Sequence, residues 1–460
     1  MNCWNPCSCW RKLRNSRRYN RRVKFAFRPA DFMISTLSDQ VPHPIINRCC
    51  TGTSLMIPLL RSCLSSVRAR LSAGPQTSGH VLAAWLAVGL CLFGGAPVFA
   101  GTIRLYIGTY TAGDSISKGV YTCEFDDATG QMTEPVLAAE LKNPSFLAIH
   151  PSGKYVYAVN ELSEGGGRGQ GGVTALKIEA DGRLTKINEQ PSGGGAPCHC
   201  NIDATGTALL TANYGGGNVM VYPIAPDGSL QPASCNIQHE GSSVDKSRQE
   251  APHAHSINLS SDNRFAYAAD LGIDKILIYN FDSATHQLTP ARQTAALVTP
   301  GGGPRHFAIH PSGKFAWANS EMTMVVTGFR RKPEDGSLFA IQEISTIPAG
   351  YNGRRSTAEC LCHPSGKFLY VSNRGHESIA AYTIDESTGL LTFVENEQTG
   401  GREPRNFYIE PTGKWLLAEN QNSDTVFVFS INQQTGALEP TGRSIQVGKP
   451  VCIRSVAITK

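Results

Sequence analysis

The chain contains no Gly-x-Ser-x-Gly elbow, no P-loop, and no dinucleotide fingerprint in a strand-to-helix context. Three common routes to hydrolase, phosphotransferase and redox chemistry are therefore missing. The glycine-rich run "GGGRGQGG" (165–172) reads as a loop, without the lysine and helix that a phosphate loop needs. Charge is also scarce. Charged residues are 17% of the chain and glycine takes 46 of 460 positions, which excludes a helical bundle. The formal charge of +5 comes from one end. The first hundred residues hold 13 Lys and Arg against Asp31 and Asp39, leaving 29 basic and 35 acidic residues in 101–460, a net of −6. That mildly acidic remainder offers no nucleic-acid surface. Cysteine is too odd in number for a complete disulfide framework: seven of the 14 (Cys123, Cys198, Cys200, Cys235, Cys360, Cys362 and Cys452) follow residue 100. The Cys198/Cys200 and Cys360/Cys362 pairs read as small core residues. His253 and His255 share a strand face but lack a third partner, so no metal site is expected.

A long membrane-spanning run is absent too. The apolar stretch "VLAAWLAVGLCLFGG" (81–95) is short and broken by glycine. It follows Arg61, Arg68 and Arg70 and precedes Val98 and Ala100, small residues at −3 and −1. That order is a secretory signal peptide over about 56–100, cut after Ala100 and sending residues 101–460 to the periplasm. An uncleaved N-terminal anchor is the membrane alternative. Residues 1–55 show no sustained period and read as an over-called start ahead of Met56. If the whole leader is a mis-assigned start, the location is cytoplasmic.

Past residue 100 the sequence repeats. "HPSGK" occurs at His150–Lys154, His310–Lys314 and His363–Lys367, with degenerate copies at 203–207, 260–264 and 410–414. Apolar segments flank each copy, giving strand, tight turn, strand. A second turn follows, keyed by Gly130, Gly182, Gly228, His286, Gly336, Gly389 and Gly436 at spacings of 52, 46, 58, 50, 53 and 47 residues. Seven four-stranded units predict an all-β, seven-bladed β-propeller over 101–460. The first unit lacks an inner strand, and the C-terminal "VCIRSVAIT" (451–459) supplies one. The C-terminal strand is therefore expected to complete the first blade and close the ring.

Aligned on the turn, each inner strand starts with a different pair: Ser145/Phe146, Cys198/His199, His255/Ser256, Arg305/His306, Ala358/Glu359 and Arg405/Asn406. The antiparallel partner strands end at Glu161, Tyr214, Leu271, Glu321, Arg374 and Gln421. These positions gather at one channel mouth, with the HPSGK turns at the opposite end. Turn positions recur from blade to blade; these do not, and that variation marks them as a candidate site. Arginine forks suit an anionic substrate, and His and Glu supply acid–base groups. His150, His310 and His363 recur with the turn and read as scaffold.

The segments "PHAHSINLSSDNRFAYAADLGIDKILIY", "GPRHFAIHPSGKFAWANSEM", "HPSGKFLYVSNRGHESIAAY" and "EPRNFYIEPTGKWLLAENQNSDTVFVF" together resemble the seven-bladed propeller lactonase family. That family includes propeller-type 6-phosphogluconolactonases and the carboxy-muconate cyclising enzyme. The resemblance implies cofactor-free opening, or in one branch formation, of a lactone. It implies a catalytic set of His255, Arg305, Glu321 and Arg374, with either His255 or Glu321 as base. His199, His306, Glu359 and Arg405 are expected to bind substrate. The expected partner is a small anionic sugar lactone met by a monomer. The alternatives are a muconate-type cycloisomerase and a non-catalytic exported binding module.

Overall fold

The computed structural model describes residues 101–163 and 171–458. The leader at 1–100 and most of the glycine-rich loop lie outside the described residues. Among the described residues the strands form seven antiparallel sheets arranged as the blades of a propeller. Short 3₁₀ turns at Leu271–Ile273 and Gln421–Ser423 are the named helical elements.

Blade one is assembled from both ends of the described chain. The C-terminal strand Pro450–Ala457 pairs with Thr102–Thr109, which pairs with Gly119–Asp126. The outer position of this blade departs from the expected single strand. It is split into Gln131–Met132 and Val136–Glu140, both on Gly119–Asp126. Pro135 sits at the break, where a residue without an N–H cannot continue a ladder. Blades two to seven each run inner to outer in chain order; blade five is Pro304–Ile309, Phe315–Ser320, Val325–Arg331 and Leu338–Ser345.

The core lies between blades. Phe265 and Tyr267 of blade four pack with Phe307 and Phe329 of blade five, and Leu105 and Ile107 of blade one pack with Leu417 and Val426 of blade seven. Each blade buries both faces this way, so the strands read as nearly continuous apolar runs. The free cysteines Cys198, Cys200 and Cys360 are buried.

The HPSGK histidines tie neighbouring blades together. In His310 the Nδ1 atom accepts the Ser312 backbone N–H at 3.0 Å, and Nε2 lies 2.9 Å from Gly366 O in the next blade's turn. His150 and His363 repeat the contact to Gly206 and Gly413 at 2.8 and 2.7 Å. The outer turns need left-handed backbone. Gly336 has φ +74° with the Phe265 ring 2.5 Å from where a Cβ would stand, and His286 holds the same region at φ +54°.

Candidate active site

Two adjacent residues of one strand normally point to opposite faces. At the mouth end of the inner strands that rule is broken by a bulge. In blade five Pro304 pairs with Ser320 and Phe307 with Ala318, leaving Arg305 and His306 opposite the single residue Asn319. The same shift falls at His255 in blade four, between the Ala254 and Ser256 pairings, and at Arg405 in blade seven, between Pro404 and Asn406. Bulges re-aim side chains. The inner strands can thus offer consecutive side chains, Arg305 and His306, to the channel.

Glu321 follows directly on Ser320 and collects guanidiniums. Arg305 Nε and Arg374 Nη2 each stand 3.1 Å from its Oε2, and Arg248 Nη2 donates to Oε1 at 2.8 Å. The Arg305 contact is an ion pair off the N–H axis, since Nε has no aligned acceptor. Arg305 spends an Nη1 proton on Ala358 O at 2.8 Å, and Arg374 spends an Nη2 proton on Thr357 O at 3.0 Å. Glu403 extends the network, 3.7 Å from Arg374 and bidentate with Arg354 at 2.6 and 3.0 Å. Burial pushes the Glu321 carboxyl upward, but Arg374, Arg305 and Arg248 outweigh it and hold the pKa to about 2. Burial lowers Arg374 to about 10, against the pull of Glu321.

His255 is fully surrounded. Burial, then the nearby Arg305 and His306, drives its pKa well below 6.5, so the ring is neutral. Its Nδ1 is 3.6 Å from Cys198 Sγ, and its ring centroid lies 5.5 Å from that of His306. Arg305 Nη1 donates to His306 Nε2 at 3.1 Å, which places the His306 proton on Nδ1, 2.6 Å from Glu359 Oε1. Asn406 donates to the other Glu359 oxygen at 2.7 Å. Burial lowers the His306 pKa despite Glu359, and His306 keeps Glu359 below the usual carboxylate range against burial.

Seven of the eight sequence candidates divide into two levels, and the buried His255 lines neither of the two spaces described next. Arg305, Glu321 and Arg374 form one ion cluster. Arg305, His306 and Arg405 border a crevice of about 10 Å³, together with Ser145, Glu161 and Cys198. Arg405 stacks 5.1 Å over the Tyr110 ring, whose hydroxyl donates to Glu161 at 2.8 Å. His199 and Glu359 instead line a chamber of about 360 Å³ that reaches the HPSGK-turn end near Pro151 and Asp203. His306 and Phe146 border both spaces and separate them. Arg248 and Arg454 were invisible in the comparison of repeats. Arg248 comes from the segment between blades three and four, where the repeat spacing is longest at 58 residues; that insertion was the available signal. Arg454, on the closing strand, lies 4.7 Å over the Phe146 ring.

The family described as "Lactonase, 7-bladed beta-propeller" matches residues 104–455. The chain belongs to the propeller lactonases. A 6-phosphogluconolactonase of Bacillus subtilis is 36% identical over 306 residues, covering 66% of this chain and 84% of the relative. A 6-phosphogluconolactonase of Formosa agariphila is 31% identical over 310 residues, covering 66% and 86%. The solved periplasmic gluconolactonase of Pseudomonas aeruginosa superposes with a TM-score of 0.73 at 33% identity, over 78% of this chain and all of that one. With relatives named as lactonases, the chain is a lactone hydrolase of this family. Among the described residues no group of three metal-binding side chains occurs.

Proposed function

We propose that this propeller lactonase hydrolyses a sugar lactone at the mouth carrying Arg305, Glu321 and Arg374. The observation that carries the reading is three guanidiniums on one carboxylate, with the neutral, buried His255 imidazole close enough to feel the charge of Arg305. Arg305 and Arg374 hold the lactone carbonyl and stabilise the oxyanion that forms on it. Water adds to the carbonyl carbon while His255 takes its proton. The ring C–O bond then breaks, the imidazolium returns the proton to the leaving alkoxide, and the open acid loses its own proton to solvent. Glu321 keeps both guanidiniums in place; ionised down to about pH 2, it is too weak a base for the water. No cofactor enters these steps. We also propose that 1–100 is a leader removed on export.

The cavity volumes favour one alternative placement. A lactone ring fits the 360 Å³ chamber as it stands, with the His306–Glu359 pair as base and Arg454 as its cation. His199 and Glu359 are substrate contacts only in that arrangement. Purified 101–460 on a panel of phosphorylated and plain sugar lactones, with a muconate lactone as control, tests the activity. Arg305→Ala and Arg374→Ala are expected to lower kcat by about 10²–10³. Wild-type rates in both, with loss in Glu359→Gln, would move the reaction to the chamber. Hydrolysis of no lactone would leave a binding module.

A further inference from the structure

The mouth holds more positive charge than a neutral lactone ring requires. The connected ion-pair network contains Arg248, Arg305, Arg354 and Arg374 against Glu321 and Glu403, four cations to two anions. It is still positive when Glu377, which accepts the Glu403 N–H, is added. Arg405 is matched separately by the neighbouring Glu161 and Tyr110. That surplus, two positive charges or one with Glu377 counted, favours a substrate that carries an anion such as a phosphate monoester.

The crevice of about 10 Å³ is lined by Arg305 but not by Arg248, Arg374 or Glu321, so an anion that reaches the network must take the place of a group already on Glu321. Arg248 is built to be that group. Its side chain is 41% exposed, whereas those of Arg305 and Arg374 are 3% and 6% exposed. Withdrawing it leaves Glu321 with two guanidiniums, so no buried carboxylate is stranded. Its backbone is fixed all the same. Buried Gln249 donates to Leu271 O at 2.8 Å and to Asp274 Oδ1 at 2.7 Å, and Asp245 O accepts the Gln249 N–H at 2.6 Å. A long side chain on an anchored loop can exchange one oxyanion for another without moving the loop. Tyr214 Oη, 3.4 Å away, offers a second donor at the same place.

We infer that Arg248 releases Glu321 to receive the anionic group on the substrate's carbon chain, and so sets a preference for phosphorylated over plain sugar lactones. This rests on the lactonase reading. Arg248 is a specificity residue: it meets the substrate away from the bond that breaks.

The test compares Arg248→Gln with wild type on 6-phosphogluconolactone and on gluconolactone, measuring kcat and KM for each. The expected result is a fall of about ten- to hundredfold in the ratio of kcat/KM for the phosphorylated over the plain lactone, mostly through KM. Arg248→Lys should recover part of it, as a point charge without the fork. Equal losses on both lactones would assign Arg248 to holding Glu321 and overturn the proposal, as would an unchanged ratio. Calorimetric binding of 6-phosphogluconate and gluconate to the same proteins separates the two readings. If neither lactone is hydrolysed, the lactonase reading falls, while selective loss of 6-phosphogluconate binding in Arg248→Gln still supports the receptor. Binding of both acids unchanged by the substitution overturns it.

Discussion

A carboxylate with three guanidiniums around it keeps its charge and gives up its basicity, and Glu321 is in that position. His255 is the reverse, a ring kept neutral by burial and by the charge of Arg305. If His255 is the base, the acid limb of kcat/KM lies below the ordinary imidazole value of about 6.5, and activity is flat through neutrality. A limb at or above that value would point to a different base. The same residues predict the acid stability. The folded pKa of Glu321 is depressed from 4.5 to about 2, so its contribution is complete above about 4.5 and disappears as pH falls through 2. Urea midpoints measured between pH 5 and pH 2 should therefore drop in wild type and drop less in Glu321→Gln. These residues were legible in the sequence because they stand in columns that change from blade to blade, even though Arg405 repeats Arg305 and Glu161 repeats Glu321. Arg248 was not, because it lies in an inserted loop that has no counterpart in the other blades. Nor was the separation of His199 and Glu359 from the arginines. Comparing copies aligns residues along the chain but says nothing of depth in the channel.

Strands and turns were the easiest features to read, since each HPSGK copy sits between two apolar runs and the outer turns keep a left-handed residue. The inner-strand bulges were hidden. A bulge inserts one residue without changing the alternation enough to show in a single copy, yet it is what lets Arg305 and His306 both reach the channel. The turn histidines were recognised as scaffold by recurrence, but their reach to the next blade appears only in space. Nδ1 of His310 accepts the Ser312 N–H, so Nε2 carries the proton that bonds Gly366 O. His310→Ala removes that link and leaves a buried carbonyl short of a donor, at a cost of about 1–3 kcal/mol. Chemical denaturation should show this loss, with kcat/KM unchanged because the turn lies at the far end from the arginines. A fall in activity with no loss of stability would mean that the turn end takes part in the reaction.

At the scale of the molecule, closure is what the C-terminal strand contributes. It supplies Arg454 to the chamber, Ile453 to the packing between blades seven and one, and a full ladder to Thr102–Thr109 from Ile103↔Ala457 to Thr109↔Pro450. Both ends of the repeat region are incomplete alone, which is why the closure could be read from the sequence. We propose that the leader is a signal peptide, in which case N-terminal sequencing of the mature protein should begin at Gly101. Shortening the chain at the other end tests the ring itself. A protein ending at Val447 leaves the Thr102–Thr109 edge unpaired and uncovers Leu105, Ile107, Leu417 and Val426 on one side. Open edges of that kind pair with other chains. The shortened protein should aggregate and lose its single cooperative unfolding transition, because each blade is buried only by its two neighbours. Adding a peptide of residues 448–460 in trans should restore part of the transition, since the missing strand makes its contacts through backbone bonds and apolar packing. If the shortened protein instead unfolds in one sharp step at the wild-type temperature, six intact blades and an open seventh would be enough to hold the ring, and closure would not be the source of its stability.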